Sequence, residues 1–388
     1  MRVAKILFLI APVFIFSCKT QKITKAPFTT TPIDTVQVEA TKADTVIIEV
    51  QDSVEIFVHR LLKDTIVITA VGDMMLGTNY PNDSYLPPNE GKDQLAQIDS
   101  LLAGGDILFG NLEGVILNEG GIHKNCKNPK TCYIFRSPDY MVARIKEAGF
   151  NLMSVANNHA GDFGTKGRNN TSKLLDSLEI NYAGNANQAY TTFWLEGMHY
   201  GFAAFAPNVG TPSINNLDSA KRTVQLLDSL VDIVIVSFHG GAEGSKYTHV
   251  TKKREYFYKE NRGNVHQFAH AMIDAGADVI LGHGPHVPRA VEVYNKRFIA
   301  YSLGNFCTYG RFNLSGSNAL APIVRININA QGEFINGKLI AAKQIGRGIP
   351  IPDPKNKVIT LIKKLSKEDL PESEISIDEL GNIFYLHK

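Results

Sequence analysis

From residue 64 onward the chain repeats one pattern: an apolar run, a polar stop, a Gly-containing loop, then apolar residues at helical spacing. "TIVITAVGD" is an apolar run that ends on Asp73, and "DILFGNLEG" ends on Asn111 and Glu113. In "SPDYMVARIKEAGF", Met141, Val142, Ile145 and Ala148 share one face and Gly149 supplies a C-terminal stop, which predicts a helix. "NLMSVANNH" predicts a strand, followed by a helix near 168–178 and strands at "HYGFAAFA" and "VDIVIVSFHGG". "NVHQFAHAMIDAGAD" predicts a further amphipathic helix closing on Gly276, and "VILGHGPHV", "VEVYNKRFIAYSLGNF" and "APIVRININA" follow as strand-rich segments. Alternation of β-rich and helical segments implies an α/β fold of mixed sheets covered by helices.

The N-terminus follows a different rule. Arg2 and Lys5 precede an apolar run of about eleven residues, Ile6 to Phe16, that stops at Ser17-Cys18. That is the layout of a secretory signal peptide. The run falls short of the ~20 residues a spanning helix needs, and Pro12 interrupts it. Ending on Cys, it resembles a bacterial lipoprotein signal, which implies lipidation at Cys18 and a chain exported and anchored to a bacterial cell membrane. Ile15-Phe16-Ser17 stands where Leu-Ala-Gly is typical of that family. The next stretch is polar and Thr-rich, with Pro27, Pro32 and loose echoes such as "DTVIIEV" and "DSVEIFV". It reads as a tether, with a small β-rich segment as the alternative. The expected organisation is a signal peptide over 1–17, a tether over 18–62, one globular domain over 63–350 and a C-terminal extension packing on it over 351–388.

At 388 residues, 44% of them hydrophobic, the chain can build a sizeable core, and a formal charge of +2 is too mild to imply nucleic acid as a partner. Cys126 and Cys132 lie in the loop "HKNCKNPKTCYIF". In an exported protein that close pair predicts a local disulfide, and no second pair completes a zinc motif. Cys307 has no evident partner and reads as a small buried residue.

The chemistry lies where the apolar runs stop: Asp73, Asn111 and Glu113, Asn158 and His159, His239, His283 and His286, and Asn305. Ligands of α/β sheets bind beyond the carboxyl ends of the strands. One polar residue there would merely cap a turn; six strand ends supplying Asp, Glu, Asn and His exceed what turns require. Mixed carboxylate, amide and imidazole donors suit Mn, Fe or Zn, in one or two ions, better than Ca or Mg. Two ions about 3.5–4 Å apart can clamp a phosphoryl group during in-line attack. His159, next to Asn158, is then free to protonate the leaving oxygen, with Asp162 orienting the imidazole. Asn157 reads as a structural turn residue. His266 and His270 sit four apart, but no Glu follows His266, and Phe268, Met272 and Ile273 make the segment a packing helix; His249 is likewise an ordinary histidine. Arg136, in "YIFRSP", either grips an anionic substrate group or makes a salt bridge at a helix start.

"VGDMMLG", "GNLEG", "ANNHAGDFG", "SFHGGAE", "GHGPHV" and "YSLGNF", in this order, resemble the CapA family of bacterial capsule and poly-γ-glutamate synthesis proteins. That family is similar to calcineurin-like metallophosphoesterases, which implies a four-layer α/β/β/α sandwich of two mixed sheets. The resemblance covers roughly residues 65–350. It implies metal ligands at Asp73, Glu113, Asn158, His239, His283 and His286, with either Asn111 or Glu113 as the bridging ligand, and a general acid at His159; Asn111, Arg136 and Asn305 are the expected substrate contacts. It also implies an anionic polymer or phosphoester substrate and other capsule synthesis proteins as partners, with a non-catalytic accessory or a γ-glutamyl amide hydrolase as alternatives. Three departures stand out. Met75 occupies the third position of the calcineurin-like Asp-x-His, Asn111-Leu-Glu113 replaces the second-strand Asp, and Gly-His-x-His has gained a residue in Gly282-His283-Gly284-Pro285-His286. They suggest one ion held firmly and a second held weakly.

Overall fold

The strand Met198–Phe205 shows why the apolar runs carry no polar face. Met198, Tyr200, Phe202 and Ala204 pack on one side of it, and Ala203 and Phe205 on the other, so both faces are covered. The structure, a computed structural model, describes residues 63–125 and 132–386. Among them a nine-stranded sheet runs in the order Ile375–Ile377, Asn382–Tyr385, Phe334–Ile340, Ile323–Ile328, Ile66–Met75, Ile107–Leu112, Leu152–Ser154 and Asn181–Ala183, with Asn305–Thr308 pairing alongside Ile66–Met75. A six-stranded sheet runs Val291–Tyr294, Arg297–Ala300, Val279–His283, Ile233–His239, Met198–Phe205 and Tyr190–Leu195. Both are mixed: strand 66–75 is parallel to 107–112 and antiparallel to 323–328, and strand 279–283 is parallel to its neighbours while 291–294 is antiparallel to 297–300.

The sheets face each other across one core. Ile66, Ile68, Ile107, Phe109 and Leu152 of the first meet Tyr200, Phe202, Ile233, Ile235, Val279 and Leu281 of the second. Helix Met141–Glu147 covers the outer face of the first sheet with Met141, Val142 and Ile145 against Leu108 and Met153. Helices Leu217–Asp228 and Val265–Ile273 cover the outer face of the second, with Val224, Leu227, Phe268 and Met272 against Val234, Val236 and Ile280. The result is the four-layer α/β/β/α sandwich of two mixed sheets.

Some elements differ from the pattern read in the sequence. The helix expected near 168–178 starts earlier, as Gly164–Ser177. Helix Leu217–Asp228 is additional: Ala220, Val224 and Leu227 recur on one face, and the Asn216 side chain accepts from the Ser219 backbone N–H at its start. Beyond residue 350, helix Lys357–Asp369 packs Val358, Ile359 and Ile362 into the inter-sheet core, and strand Asn382–Tyr385 extends the first sheet. Among the described residues no helix is long and apolar enough to cross a membrane. The expected signal peptide and tether, with the expected lipidation site Cys18, lie outside the described residues.

Candidate metal centre

Register, more than proximity in sequence, assembles the site. In the parallel part of the first sheet Asp73 sits opposite Asn111 on one side and Asn305 on the other, and Asn111 sits opposite Ser154, after which the chain enters the Asn157–His159 turn. In the second sheet His239 and His283 are direct neighbours. Polar residues at the carboxyl ends of strands 66–75, 107–112, 233–239 and 279–283 are thereby gathered at one edge of the sandwich, joined by Asn305, which opens strand 305–308 instead of ending the apolar run before it.

Two glycines make the close approaches possible. The Asp73 backbone N–H donates to Gly304 O at 2.8 Å, and a Cβ on Gly72 would lie 2.0 Å from that same oxygen. Gly284 has φ +115°, and a Cβ there would lie 2.6 Å from Gly240 O. Pro285 follows, and His286 takes a left-handed φ of +57°, so the extra residue in this turn swings its ring back over Asp73.

Asp73, Glu113 and His239 each bring one ligand atom into a group whose members lie within 4.8 Å of one another, all three buried. His239 Nδ1 stands 3.7 Å from Glu113 Oε2, and the His239 and His286 rings are 6.2 Å apart. His286 Nδ1 lies 2.8 Å from Asp73 Oδ2, and His283 Nδ1 lies 3.2 Å from Asp73 Oδ1 without forming a hydrogen bond. The ligand candidates from both sheets therefore converge. Asn158 follows on the turn with its Oδ1 buried and unpartnered.

The electrostatics follow from crowding carboxylates and imidazoles together away from water. Burial, and next the Asp73 charge, push Glu113 up to about 8. Burial alone would raise Asp73 as well, but its contacts with His283 and His286 hold it far below the usual carboxylate range. Burial works against a charged His286, yet the Asp73 hydrogen bond and charge outweigh it and raise that imidazole to about 9. Burial, with the Arg262 guanidinium behind it, takes His239 well below its ordinary value, so its ring is neutral and its lone pair is available.

Whether a metal fits can be judged from polar atoms that the protein leaves unsatisfied. Both ring nitrogens of His239 and of His283, Glu113 Oε1, Asn158 Oδ1 and Asn305 Oδ1 are buried and make no hydrogen bond. Each such atom costs about 1–3 kcal/mol, and native interiors hold few of them. So many at one point, on carboxylate, amide and imidazole donors, fit a divalent metal.

His159 stands beside the ligand group. Its Nδ1 is 2.7 Å from Asp162 Oδ2, which fixes the ring, and its Nε2 lies 4.0 Å from Glu113 Oε1. Asp162 is held in turn by the Phe135 backbone N–H at 2.7 Å and by Lys124 Nζ at 2.6 Å. Burial lowers the His159 imidazole, with Asp162 pulling the other way and the Lys124 charge lowering it further. The ring packs against Phe135, centroids 4.3 Å apart and planes tilted by 37°. A cleft of about 310 Å³ opens over His159, His286 and Asn305, walled by Phe135, Phe312 and Arg311.

Two expected substrate contacts have other partners. Asn111 is fully buried, and its amide N–H2 donates to both Asp73 Oδ1 (2.8 Å) and Glu113 Oε2 (2.7 Å), so it spaces the two carboxylates. Arg136 is absent from the cleft lining: its Nε donates to Asn79 Oδ1 at 2.6 Å, its Nη1 to Gly120 O, and its guanidinium lies 4.8 Å over the Phe163 ring. Asn305 does line the cleft. Asn157 is a turn residue, donating to Leu112 O and accepting from the His159 N–H. Lys124 and Glu243 escaped the sequence reading. Glu243 Oε2 lies 4.0 Å from His286 Nε2 and its carboxylate pairs with Arg262; its place inside "SFHGGAE" was the available signal. Cys132 is disulfide-bonded, while its expected partner Cys126 lies outside the described residues. Cys307 is free and buried.

Known proteins include relatives of this chain. It is 28% identical over 324 residues to the PGA biosynthesis protein CapA of Bacillus subtilis, covering 79% of each chain. It is 28% identical over 263 residues to the capsule biosynthesis protein CapA of Bacillus anthracis, covering 63% of this chain and spanning 60% of that relative's length. Among solved structures it aligns with a 5'-nucleotidase precursor from Thermus thermophilus at 12% identity and a TM-score of 0.38, covering 71% of this chain and 54% of that one. It also aligns with the purple acid phosphatase PPD1 from yellow lupin seeds at 12% identity and a TM-score of 0.37, covering 76% and 55%. The family model described as bacterial capsule synthesis protein PGA_cap matches residues 67–309, and the chain belongs to that family.

Proposed function

We propose that this chain is an exported, lipid-anchored member of its family whose metal centre hydrolyses phosphoester-type bonds during the synthesis or processing of an anionic capsular polymer. The observation that carries this reading is the set of unpartnered buried donor atoms on Glu113, Asn158, His239 and His283 beside Asp73. Asp73, Glu113, Asn158, His239, His283 and His286 would hold the ion. When bound, the ion would supply Lewis-acid polarisation of a phosphoryl oxygen and lower the pKa of a coordinated water.

The remaining chemistry belongs to the chain itself. Asn111 holds Asp73 and Glu113 apart by donating to both. The Phe135 N–H fixes Asp162, and Asp162 fixes His159, which lines the cleft and from which a proton can pass to the leaving oxygen. Phe135 and Phe312, stacked 5.1 Å apart, exclude water from one wall. Arg311 on the cleft rim complements an anionic group. The same donors suit a γ-glutamyl amide, and the relative named for PGA biosynthesis favours keeping that as the second reading.

The test is a substrate panel on the metal-loaded protein: an alkyl phosphodiester, a phosphomonoester and a γ-glutamyl peptide, each against a His239→Ala control. Turnover of a phosphoester abolished by His239→Ala supports the first reading. Turnover of the γ-glutamyl peptide alone selects the second, and no turnover with metal bound leaves an accessory, polymer-binding role.

A further inference from the structure

A separate cluster lies on the outer face of the six-stranded sheet. His266 and His270 sit one turn apart on helix Val265–Ile273, and Glu292 rises from the edge strand Val291–Tyr294 that lies against them. Their ligand atoms lie within 4.8 Å of one another. The two imidazole rings are 4.1 Å apart, and His270 Nε2 is 3.0 Å from Glu292 Oε2. Read from the helix alone, the pair looks like ordinary packing, since no Glu follows His266 and Phe268, Met272 and Ile273 are buried beside it. The carboxylate comes from a strand 22 residues beyond His270.

The hydrogen bond between His270 and Glu292 explains two of the three residues. It leaves His266 unexplained: its Nε2 is buried and makes no hydrogen bond, although it sits next to that pair. The surroundings hold the other two in place. Tyr301 donates its hydroxyl proton to Glu292 Oε2 at 2.6 Å, and Tyr294 stacks on His270 at 3.8 Å. A hydrogen-bonded carboxylate and an oriented imidazole are the arrangement by which outer groups position metal ligands. Atoms that share one ion at about 2.0–2.2 Å lie no more than about 4 Å apart, so the cluster reaches ligand geometry with shifts of roughly an ångström. A cleft of about 670 Å³ lined by His270, Glu292, Glu372 and Glu374 opens beside it and gives an ion access.

We propose that His266, His270 and Glu292 form a second metal site, separate from the main centre, that takes a zinc-type divalent ion and fastens helix 265–273 to the sheet edge. Two imidazoles and one carboxylate select a borderline transition ion over Ca or Mg. Three protein ligands leave a coordination position for water on the cleft side.

The experiment uses the full chain with the main centre silenced by Asp73→Asn and His239→Gln, stripped of metal and titrated with Zn(II) alone. Calorimetry should show one equivalent bound with a Kd of about 10 μM or tighter, weakened at least about tenfold by adding His266→Gln or His270→Gln. Co(II) in place of Zn(II) should give a visible ligand-field band that both variants lose. His266→Gln is the safer variant, since His266 Nε2 makes no hydrogen bond for the fold to lose. Absence of binding in the silenced parent, or an equivalent retained at full affinity in a folded His266→Gln protein, would overturn the proposal.

Discussion

Replacing His159 by Ala tests the proposed acid role apart from the proposed metal ligands. The ring packs at a tilt against Phe135 and is held by Asp162, so its loss removes an aromatic contact of about 0.5–1.5 kcal/mol. Asp162 keeps the Phe135 N–H and Lys124, so no carboxylate is stranded and the variant should fold. A placed general acid contributes about 10²–10⁴-fold. At 1.36 kcal/mol per decade that is about 2.7–5.4 kcal/mol of barrier. Turnover of an alkyl phosphodiester should fall by that factor, while a nitrophenyl ester, whose leaving group needs little protonation, should lose less than about tenfold. The pH profile carries the sign. An acid works only when protonated, and burial lowers the His159 imidazole below its ordinary 6.5. The wild-type rate on the alkyl substrate should therefore fall as pH rises past a value below 6.5, and the variant should lack that limb. The assay is steady-state turnover of both substrates from pH 5 to 8, with metal content by mass spectrometry. Loss of metal in the variant would make His159 a ligand, and undiminished turnover of the alkyl ester would remove the acid role.

Three further outcomes follow from other residues. In the metal-free protein His286 is raised from 6.5 to about 9 and Glu113 from 4.5 to about 8, so the stability they contribute is present at low pH and lost as pH rises through those values. Metal binding displaces the same protons, so the metal-induced rise in Tm should grow between pH 6.5 and 9; a rise that shrinks over that window contradicts the coupling. Arg289 is fully buried, donates twice to Glu255 at 2.8 Å and once to Tyr247 O. Arg289→Ala strands the Glu255 carboxylate with the Ala242 N–H and should cost about 3–5 kcal/mol in urea unfolding; a loss under ~1 kcal/mol would refute this. Cys18→Ser should move the protein from the membrane fraction to the soluble fraction or leave it unprocessed, and intact-mass data showing an unlipidated wild-type chain would end the anchor proposal.

Much of the framework was legible because burial on both faces leaves a continuous apolar run, and a polar stop at the end of such a run is conspicuous. Asp73, Glu113, His239, His283 and His286 stand out as candidates that way, and the structure brings them together. What register does was hidden. Nothing in "GNLEG" says that Asn111 will face two carboxylates at once, which follows only from its pairing with Asp73. Arg136 left an anion grip and a salt bridge equally open because its partners, Asn79 and Gly120, are remote in sequence. Helix Leu217–Asp228 carries Ala220, Val224 and Leu227 at helical spacing, a stripe that was legible in the sequence and was missed there. Glu292 escaped notice because a helix reading of His266 and His270 cannot supply a ligand from a strand.

The central claim is that the buried donors at the strand ends hold a divalent ion, and the most direct measurement is anomalous diffraction from crystals of the protein loaded with Mn(II) or Zn(II). The account predicts a peak at the absorption edge within about 2.0–2.3 Å of ligand atoms from Asp73, Glu113 and His239, with the His286–Asp73 contact rearranged or shared with the ion. No anomalous peak there at about 1 mM metal, with His286 Nδ1 still on Asp73 and the His239 nitrogens still unpartnered, would contradict it.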